Sequence, residues 1–159
     1  MKITVLCVGK IKEKFYTAAV EEYVKRLLRY SKVEIAEVQD EKTVEGASEK
    51  EEERVRDIEG RRLLSRISDG AYVIALAIEG ESMSSVKLAA RLEALAASGA
   101  SHMVFVIGGS LGLSSEVMKR SDMQLSFSKL TFPHQLMRVI LLEQIYRSFR
   151  IIRGEPYHK

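Results

Sequence analysis

The stretch "FVIGGSLGLSSE", Phe105–Glu116, joins an apolar run to a glycine-rich loop and then to a helix start. A buried strand, a loop with Gly108, Gly109 and Gly112, and a helix form an arrangement in which backbone N–H groups can receive an anion. The spacing excludes two common phosphate sites, because it matches neither G-x-G-x-x-G nor a P-loop with a following GK[ST]. The loop is therefore either a tight structural turn or a place where the backbone closely approaches some ligand.

Apolar runs on both sides of this stretch extend the pattern along the chain. Short runs that are mostly rich in β-branched residues predict buried strands at 3–8, 33–38, 71–78 and 102–109, with a weaker candidate at 123–128. Segments with helical spacing separate these runs. The alternation predicts an α/β fold, with a mainly parallel sheet flanked by helices.

The first helix is predicted over 12–29, where apolar residues recur four apart at Phe15, Ala19, Tyr23 and Leu27. We expect this stripe to face the sheet. Further helices are predicted over 48–67 and 84–99.

The last predicted helix lies within "TFPHQLMRVILLEQIYRSFRIIRG", with Pro133 in its first turn and Gly154 at its end. It is apolar around most of its circumference, through Met137, Val139, Ile140, Leu141, Leu142, Ile145, Tyr146, Phe149 and Ile152. One stripe is enough to cover a sheet, so a second buried face predicts a partner subunit and hence a homodimer.

The 159 residues fit one domain of ordinary size, and 46% hydrophobic residues allow a substantial core, so we expect a single domain, 1–159. The single cysteine, Cys7, can form no intramolecular disulfide, which agrees with a reducing compartment. No apolar stretch reaches the ~18 residues that a membrane helix needs. We therefore expect a cytoplasmic protein with no membrane partner.

Basic residues concentrate at the C-terminal end of the chain. The segment from Lys119 onward contains eight Lys and Arg residues and only three Asp and Glu residues. Its excess of positive charge is therefore larger than the net charge of the whole chain, which is +3. This bias favours a polyanionic partner such as nucleic acid, although a solvated basic helix has the same pattern.

A second polar loop, "LSFSKLTFPHQ" at 125–135, follows the last predicted strand. Parallel strands end at the same edge of a sheet, so this loop and the glycine loop are expected to lie together there. Ligands of open α/β sheets bind outside the carboxyl ends of the strands. The two loops together therefore predict a pocket.

The histidines and the cysteine have no metal-ligand spacing, so no metal site is predicted. His102 begins a strand and is expected to be structural. His134, at the head of the last helix, is equally compatible with a helix end and with a site. The tail "PYHK", 156–159, is either a frayed end or part of a site.

The segments "MKITVLCVGK", "FVIGGSLGL", "LSFSKLTFPHQLMRVILLEQIYR" and "PYHK" together resemble the RlmH (YbeA) family of SPOUT-superfamily rRNA methyltransferases. The resemblance spans essentially the whole chain. It implies a SPOUT-type α/β fold whose C-terminal trefoil knot, in a cofactor-binding region at about 102–159, is an exception to the rule that chains are not knotted. It also implies a homodimer, S-adenosyl-L-methionine as cofactor, and methylation of N3 of a pseudouridine in 23S rRNA on the assembled ribosome, with no DNA partner.

By this resemblance, the cofactor is expected at Leu76, Gly108, Phe127, Ser128, Lys129, Leu130, Thr131 and Phe132. Methyl transfer needs no metal, so catalysis should come mainly from alignment of the acceptor nitrogen with the methyl carbon. The candidates for orienting the acceptor base or removing its proton are His134, Glu143, Arg147, Tyr157 and His158. His158 is the first choice, because a histidine pKa of ~6.5 suits proton acceptance near neutrality.

The tail follows a helix that is expected at the dimer interface, so we expect it to reach into the partner's pocket. Contacts with the rRNA backbone are assigned to Arg147, Arg150, Arg153 and Lys159. Two other functions remain open: a non-catalytic RNA- or ribosome-binding module of the same fold, and a methyltransferase for a different RNA nucleotide.

Overall fold

A computed structural model describes all residues, 1–159, and contains strands and helices that alternate along the chain. The strands are Lys2–Val8 (β1), Lys32–Val38 (β2), Tyr72–Ser82 (β3), His102–Ile107 (β4) and Met123–Ser126 (β5). The helices are Lys14–Leu27 (α1), Glu49–Leu64 (α2), Ser85–Ala97 (α3), Ser115–Arg120 (α4) and His134–Ile152 (α5). The predicted α/β fold is confirmed.

All neighbouring strands pair in parallel, in the order β2-β1-β4-β3-β5. From β1 the chain first moves to β2 on one side and later returns to β4 on the other side. The crevice beyond the ends of β1 and β4 is therefore a topological switch point, where α/β sheets bind ligands.

Helices cover both faces of the sheet. Helices α1, α3 and α5 pack over one buried cluster that includes Val5 and Cys7 of β1. Helices α2 and α4 pack over a second cluster that includes Leu6 and Val8. The alternation of side chains along each strand thus supplies two cores, as a three-layer arrangement requires.

Helix α1 buries a different face from the predicted one. Val20 and Leu27 are buried, whereas Phe15 is 66% exposed and Leu28 is 69% exposed. Phe15–Ala19–Tyr23–Leu27 and Tyr16–Val20–Tyr23–Leu27 are overlapping stripes in the sequence. Packing against α5 and β2 selects the second stripe, and Phe15 stays outside the core.

Strand β3 is longer than the predicted 71–78, because a bulge between Leu76 and Glu81 lets it pair with β5 a second time. Gly80 lies in this bulge, where a Cβ atom would come within 2.7 Å of the Gln124 carbonyl carbon. Bulges re-aim side chains next to binding sites. Here residues 76–78, which lie in the bulge, line the cavity described below.

The inner side of α5 is buried through Leu141, Leu142 and Ile145. Its outer side keeps Leu136 and Ile140 partly exposed, which is the second apolar face that the sequence predicts. No helix of the structure combines the length and the apolarity needed to cross a membrane. The homodimer, the single domain 1–159 and the C-terminal knot stay predictions.

Candidate functional site

The two loops predicted to form a pocket meet at the carboxyl edge of the sheet. They enclose a cavity of about 160 Å³ lined by 15 residues, nine of them hydrophobic. Across the β3 bulge and the glycine loop, it continues into a wider cleft of about 900 Å³. Of the residues predicted to bind a cofactor, the lining includes Leu76, Gly108, Phe127, Ser128, Leu130, Thr131 and Phe132.

Lys129 is the one predicted cofactor residue that does not line the cavity. It lies between Ser128 and Leu130 in the loop, and its side chain is exposed to solvent.

Four other lining residues, Ala77, Ile78, Gly109 and Met137, were not among the predicted cofactor residues, although Gly109 belongs to the glycine loop that the sequence singled out. Three of them are neighbours of predicted positions, so the ends of strands β3 and β4 could have indicated them. Met137 lies one helical turn after His134, and helical spacing could have indicated it as well.

The glycine loop is both a tight turn and a wall of this cavity. Gly112 has a φ of +84° and its N–H donates to the Gly109 carbonyl oxygen at 3.1 Å. A Cβ atom on Gly108 would lie 2.8 Å from the Gly112 carbonyl carbon. Gly108 is therefore required by the turn itself, in addition to its place in the cavity wall.

His134 stands at the first turn of α5, between this cavity and a second, polar one. Its ring makes no hydrogen bond within the protein. Burial, and then the charge of Arg138, lower the pKa of His134 from its ordinary value. The imidazole is thus neutral near pH 7 and free to accept a proton.

Arg138 fixes the head of α5 to the sheet and was not recognised in the sequence as a buried residue. It is 1% exposed, and its guanidinium contacts the Glu37 carboxylate at the end of β2. It also donates to the carbonyl oxygen of Gly9 at 2.7 Å, just beyond β1. Because Arg138 lies one turn from His134, this anchor also sets the position of that imidazole.

Four of the five predicted catalytic residues form one cluster of α5 and the tail. Glu143 accepts from Arg147 Nη2 at 2.6 Å and from the Tyr157 hydroxyl at 3.1 Å. Burial, and then the hydrogen bond to Glu143, raise the pKa of Tyr157. His158 Nδ1 lies 3.1 Å from Arg147 Nη1. The tail therefore contacts α5 of its own protomer through Glu143 and Arg147.

The structure does not bring this cluster to the cavity of the same protomer. Glu143 and Arg147 follow His134 in the same helix. With a rise of 1.5 Å per residue, they lie about 14 Å and about 20 Å from His134 along the helix axis. The fifth candidate, His134, is the only one that lines the cavity.

The basic residues predicted to contact rRNA fall into two groups. Arg147 pairs with Glu143, and Arg150 pairs with Glu155 at 2.6 Å. Arg153 and Lys159 are exposed and form no ion pair. A phosphate would compete with a carboxylate for the first two residues. Of these four residues, therefore, Lys159 and Arg153, whose guanidinium lies over the Tyr30 ring, are the two that no carboxylate holds.

His102 is structural, as the sequence predicts, since its Nε2 lies 2.8 Å from the Thr4 hydroxyl of the adjacent strand. Cys7 is buried, and burial raises the pKa of its thiol to about 12. No group of three or more His, Cys, Asp or Glu side chains is arranged to hold a metal ion.

Comparisons with known proteins agree with this geometry. Residues 1–158 match the model of a family described as "Predicted SPOUT methyltransferase". The chain is 59% identical to "Ribosomal RNA large subunit methyltransferase H" of Bacillus thuringiensis subsp. konkukian. It is 56% identical to the proteins of the same name from Clostridium kluyveri and Bifidobacterium animalis subsp. lactis. Each comparison covers 100% of both chains. The chain therefore belongs to the SPOUT methyltransferase family.

Proposed function

We propose that this protein is an S-adenosyl-L-methionine-dependent methyltransferase of the cytoplasm that methylates N3 of a pseudouridine in 23S rRNA of the assembled ribosome. The observation that carries the proposal is the cavity at the carboxyl edge, lined by seven of the eight predicted cofactor residues. Relatives that are 56–59% identical over their full length bear the name of a large-subunit rRNA methyltransferase, which supports the substrate class.

The cavity fits the chemistry of this cofactor. Apolar side chains such as Leu76, Phe127 and Met137 offer a slot for the adenine ring. Hydroxyl groups of Ser128 and Thr131 and the backbone of the glycine loop offer polar contacts for the ribose and the amino acid part. When bound, the cofactor supplies an electrophilic methyl group on its sulfonium. The protein's task is then to hold the acceptor nitrogen in line with that methyl carbon.

The acceptor N3 must lose its proton, and His134 is the residue of this protomer that can take it. The ring is neutral, has no hydrogen-bond partner and lines the cavity. His158 is less suited in this arrangement. A guanidinium can only donate, so Arg147 occupies the Nδ1 lone pair of His158.

The cluster of Glu143, Arg147, Tyr157 and His158 acts on the pocket of the partner subunit. If α5 packs antiparallel against its own copy about a two-fold axis near Ile140, Arg147 of one protomer lies opposite the first turn of α5 in the other. The outer side of α5 has the partly exposed apolar residues Leu136 and Ile140 for such a contact. In this dimer, the tail covers the pocket and orients the acceptor nucleotide.

The proposal is tested by mass mapping of 23S rRNA in ribosomes from a strain that lacks the gene. Purified protein and S-adenosyl-L-methionine should add one methyl group to one pseudouridine, at N3. A methyl group on another nucleotide would favour the alternative rRNA specificity.

Calorimetric titration with S-adenosyl-L-methionine separates the enzyme from a non-catalytic ribosome-binding module. The enzyme must bind the donor, whereas a module that has lost turnover through its cofactor site would give no heat of binding. A Thr131→Arg variant, which fills the cavity with a charged side chain, is the matched control for specific binding.

A further inference from the structure

A second cavity of about 670 Å³ adjoins the cofactor cavity and shares Gly109 and His134 with it. We call it the polar cleft, because only two of its 14 lining residues are hydrophobic. It lies beyond the ends of β1, β2 and β4, between the glycine loop and the head of α5. It therefore includes the topological switch point between β1 and β4. Its size is within the usual range of ligand pockets.

One wall of the polar cleft holds a buried carboxyl group, Glu59 of α2. This residue is only 5% exposed. Its Oε2 accepts from the backbone N–H of Glu41 at 3.0 Å, whereas Oε1 accepts no hydrogen bond from the protein. A Cβ atom on Gly109 would lie 3.2 Å from Oε1, so this oxygen sits directly against the glycine loop. Glu59 Oε1 is not sealed from the cleft, since the buried side-chain atoms without a partner are only the Nε atoms of Arg138 and Arg150. This oxygen can therefore accept a hydrogen bond from a donor that arrives with a ligand.

The floor of the polar cleft is held together by the contacts of Arg138. Arg138 ties Gly9 and Glu37, both of which line the cleft, to the head of α5. Lys10 and Lys12 stand at the rim, are exposed and form no ion pair. The lining also carries the carboxylates of Asp40 and Glu41, so its polar groups are mainly hydrogen-bond acceptors. Such a lining suits a base N–H donor, and Lys10 and Lys12 are the cations at its rim that can meet a backbone phosphate.

We propose that the polar cleft receives the acceptor pseudouridine and that Glu59 Oε1 accepts a hydrogen bond from N1–H of its base. This inference rests on the proposed function. Pseudouridine is joined to its ribose through carbon, so N1 carries a hydrogen, whereas N1 of uridine is bonded to the ribose. With N1–H held by Glu59, the N3 edge is left to face His134 and the cofactor cavity. Glu59 is then a specificity-determining residue that distinguishes pseudouridine from uridine.

The experiment compares two ribosome substrates, one with pseudouridine and one with unmodified uridine at the target position. The second is prepared from a strain without the corresponding pseudouridine synthase. In Glu59→Gln, the side chain can still accept from Glu41 N–H, but its other terminal atom becomes an amide donor. We expect methylation of pseudouridine to slow by about 10- to 100-fold, as for loss of a hydrogen bond to a charged group. Methylation of uridine should stay within about twofold, so the preference for pseudouridine collapses.

The control is Glu53→Gln, an exposed residue of the same helix, which should keep the wild-type preference. Affinity for S-adenosyl-L-methionine, measured by calorimetry, should be unchanged in both variants. The inference is overturned if Glu59→Gln slows both substrates equally, which a structural role predicts, or if it keeps the preference. Wild-type protein that methylates neither ribosome would overturn the proposed function instead.

Discussion

The burial of Arg138 could not be predicted from the sequence. In the sequence it is one of eight basic residues in a basic C-terminal segment, and nothing separates it from Arg147 or Arg150. Its burial follows from Glu37, 101 positions away, and from the Gly9 carbonyl oxygen, 129 positions away. Local pattern cannot predict such a contact, because both partners come from the ends of other strands.

Replacing Arg138 should destabilise the protein. In Arg138→Leu, the Glu37 carboxylate and the Gly9 carbonyl oxygen lose their partner, and breaking a buried pair from one side costs about 3–5 kcal/mol. Glu37 keeps 35% of its side-chain surface exposed, so we expect the lower end of this range or somewhat less. Urea unfolding gives the free-energy change. Lys119→Leu, an exposed residue without an ion pair, should change it by less than about 0.5 kcal/mol.

Glu59 should have a pH-dependent cost in stability. Burial raises its pKa in the folded state, and the charge of Asp40 adds to this against the opposing hydrogen bond from Glu41 N–H. A carboxyl group whose pKa is higher in the folded state contributes fully to the free energy of unfolding at pH values below its pKa in the unfolded state. This contribution is lost as the pH rises through its pKa in the folded state. The midpoint temperature of Glu59→Gln should therefore exceed that of the wild type at pH 7, and the two should converge near pH 4. An equal difference at both pH values would contradict this origin.

At the scale of elements, secondary structure could be predicted from the sequence wherever a hydrophobic pattern allowed only one interpretation. The five strands follow from the apolar runs, and the structure confirms them. The buried face of α1 does not follow from the sequence, because two apolar stripes overlap along this helix. Only its packing against other elements determines which stripe is buried. The second half of β3 was also missed, since polar residues at 79–82 hide a strand that resumes after a bulge.

The tail should be needed for catalysis but not for cofactor binding. Deletion of 157–159 removes Tyr157 and His158 and spares the pair between Arg150 and Glu155. We expect methylation of ribosomes to fall by about a hundredfold or more, the size of a lost acid-base or orienting group. The affinity for S-adenosyl-L-methionine should change by no more than about twofold, because no tail residue lines the cavity.

Removal of Lys159 alone is the control for the tail, since it keeps Tyr157 and His158 in place. This removal should weaken ribosome binding only slightly. The affinity should also depend less steeply on salt concentration, because one phosphate contact is lost. Full activity after deletion of 157–159 would refute the role of the tail.

For the whole molecule, two features point to the same assembly. The catalytic candidates are divided between the head of α5, where His134 lines the cavity, and a cluster built on Glu143 and Arg147, which lie nine and thirteen residues further along the helix. The outer side of α5 is apolar near Ile140, midway between these two groups. A two-fold axis at that point would unite His134 of one protomer with the cluster of the other, so that each pocket is completed by the partner.

Two inactive variants should therefore restore each other within one dimer. Thr131→Arg blocks the cavity but keeps the tail, and deletion of 157–159 keeps the cavity but lacks the tail. Both homodimers should be inactive. The heterodimer, co-expressed with two different tags and isolated through both, has one open cavity that faces an intact tail, so it should retain about half of the wild-type activity. Methyl transfer to ribosomes measures it, with doubly tagged wild type as the reference. An inactive heterodimer would mean that the tail serves its own protomer, and a monomeric mass in light scattering would exclude the shared pocket altogether.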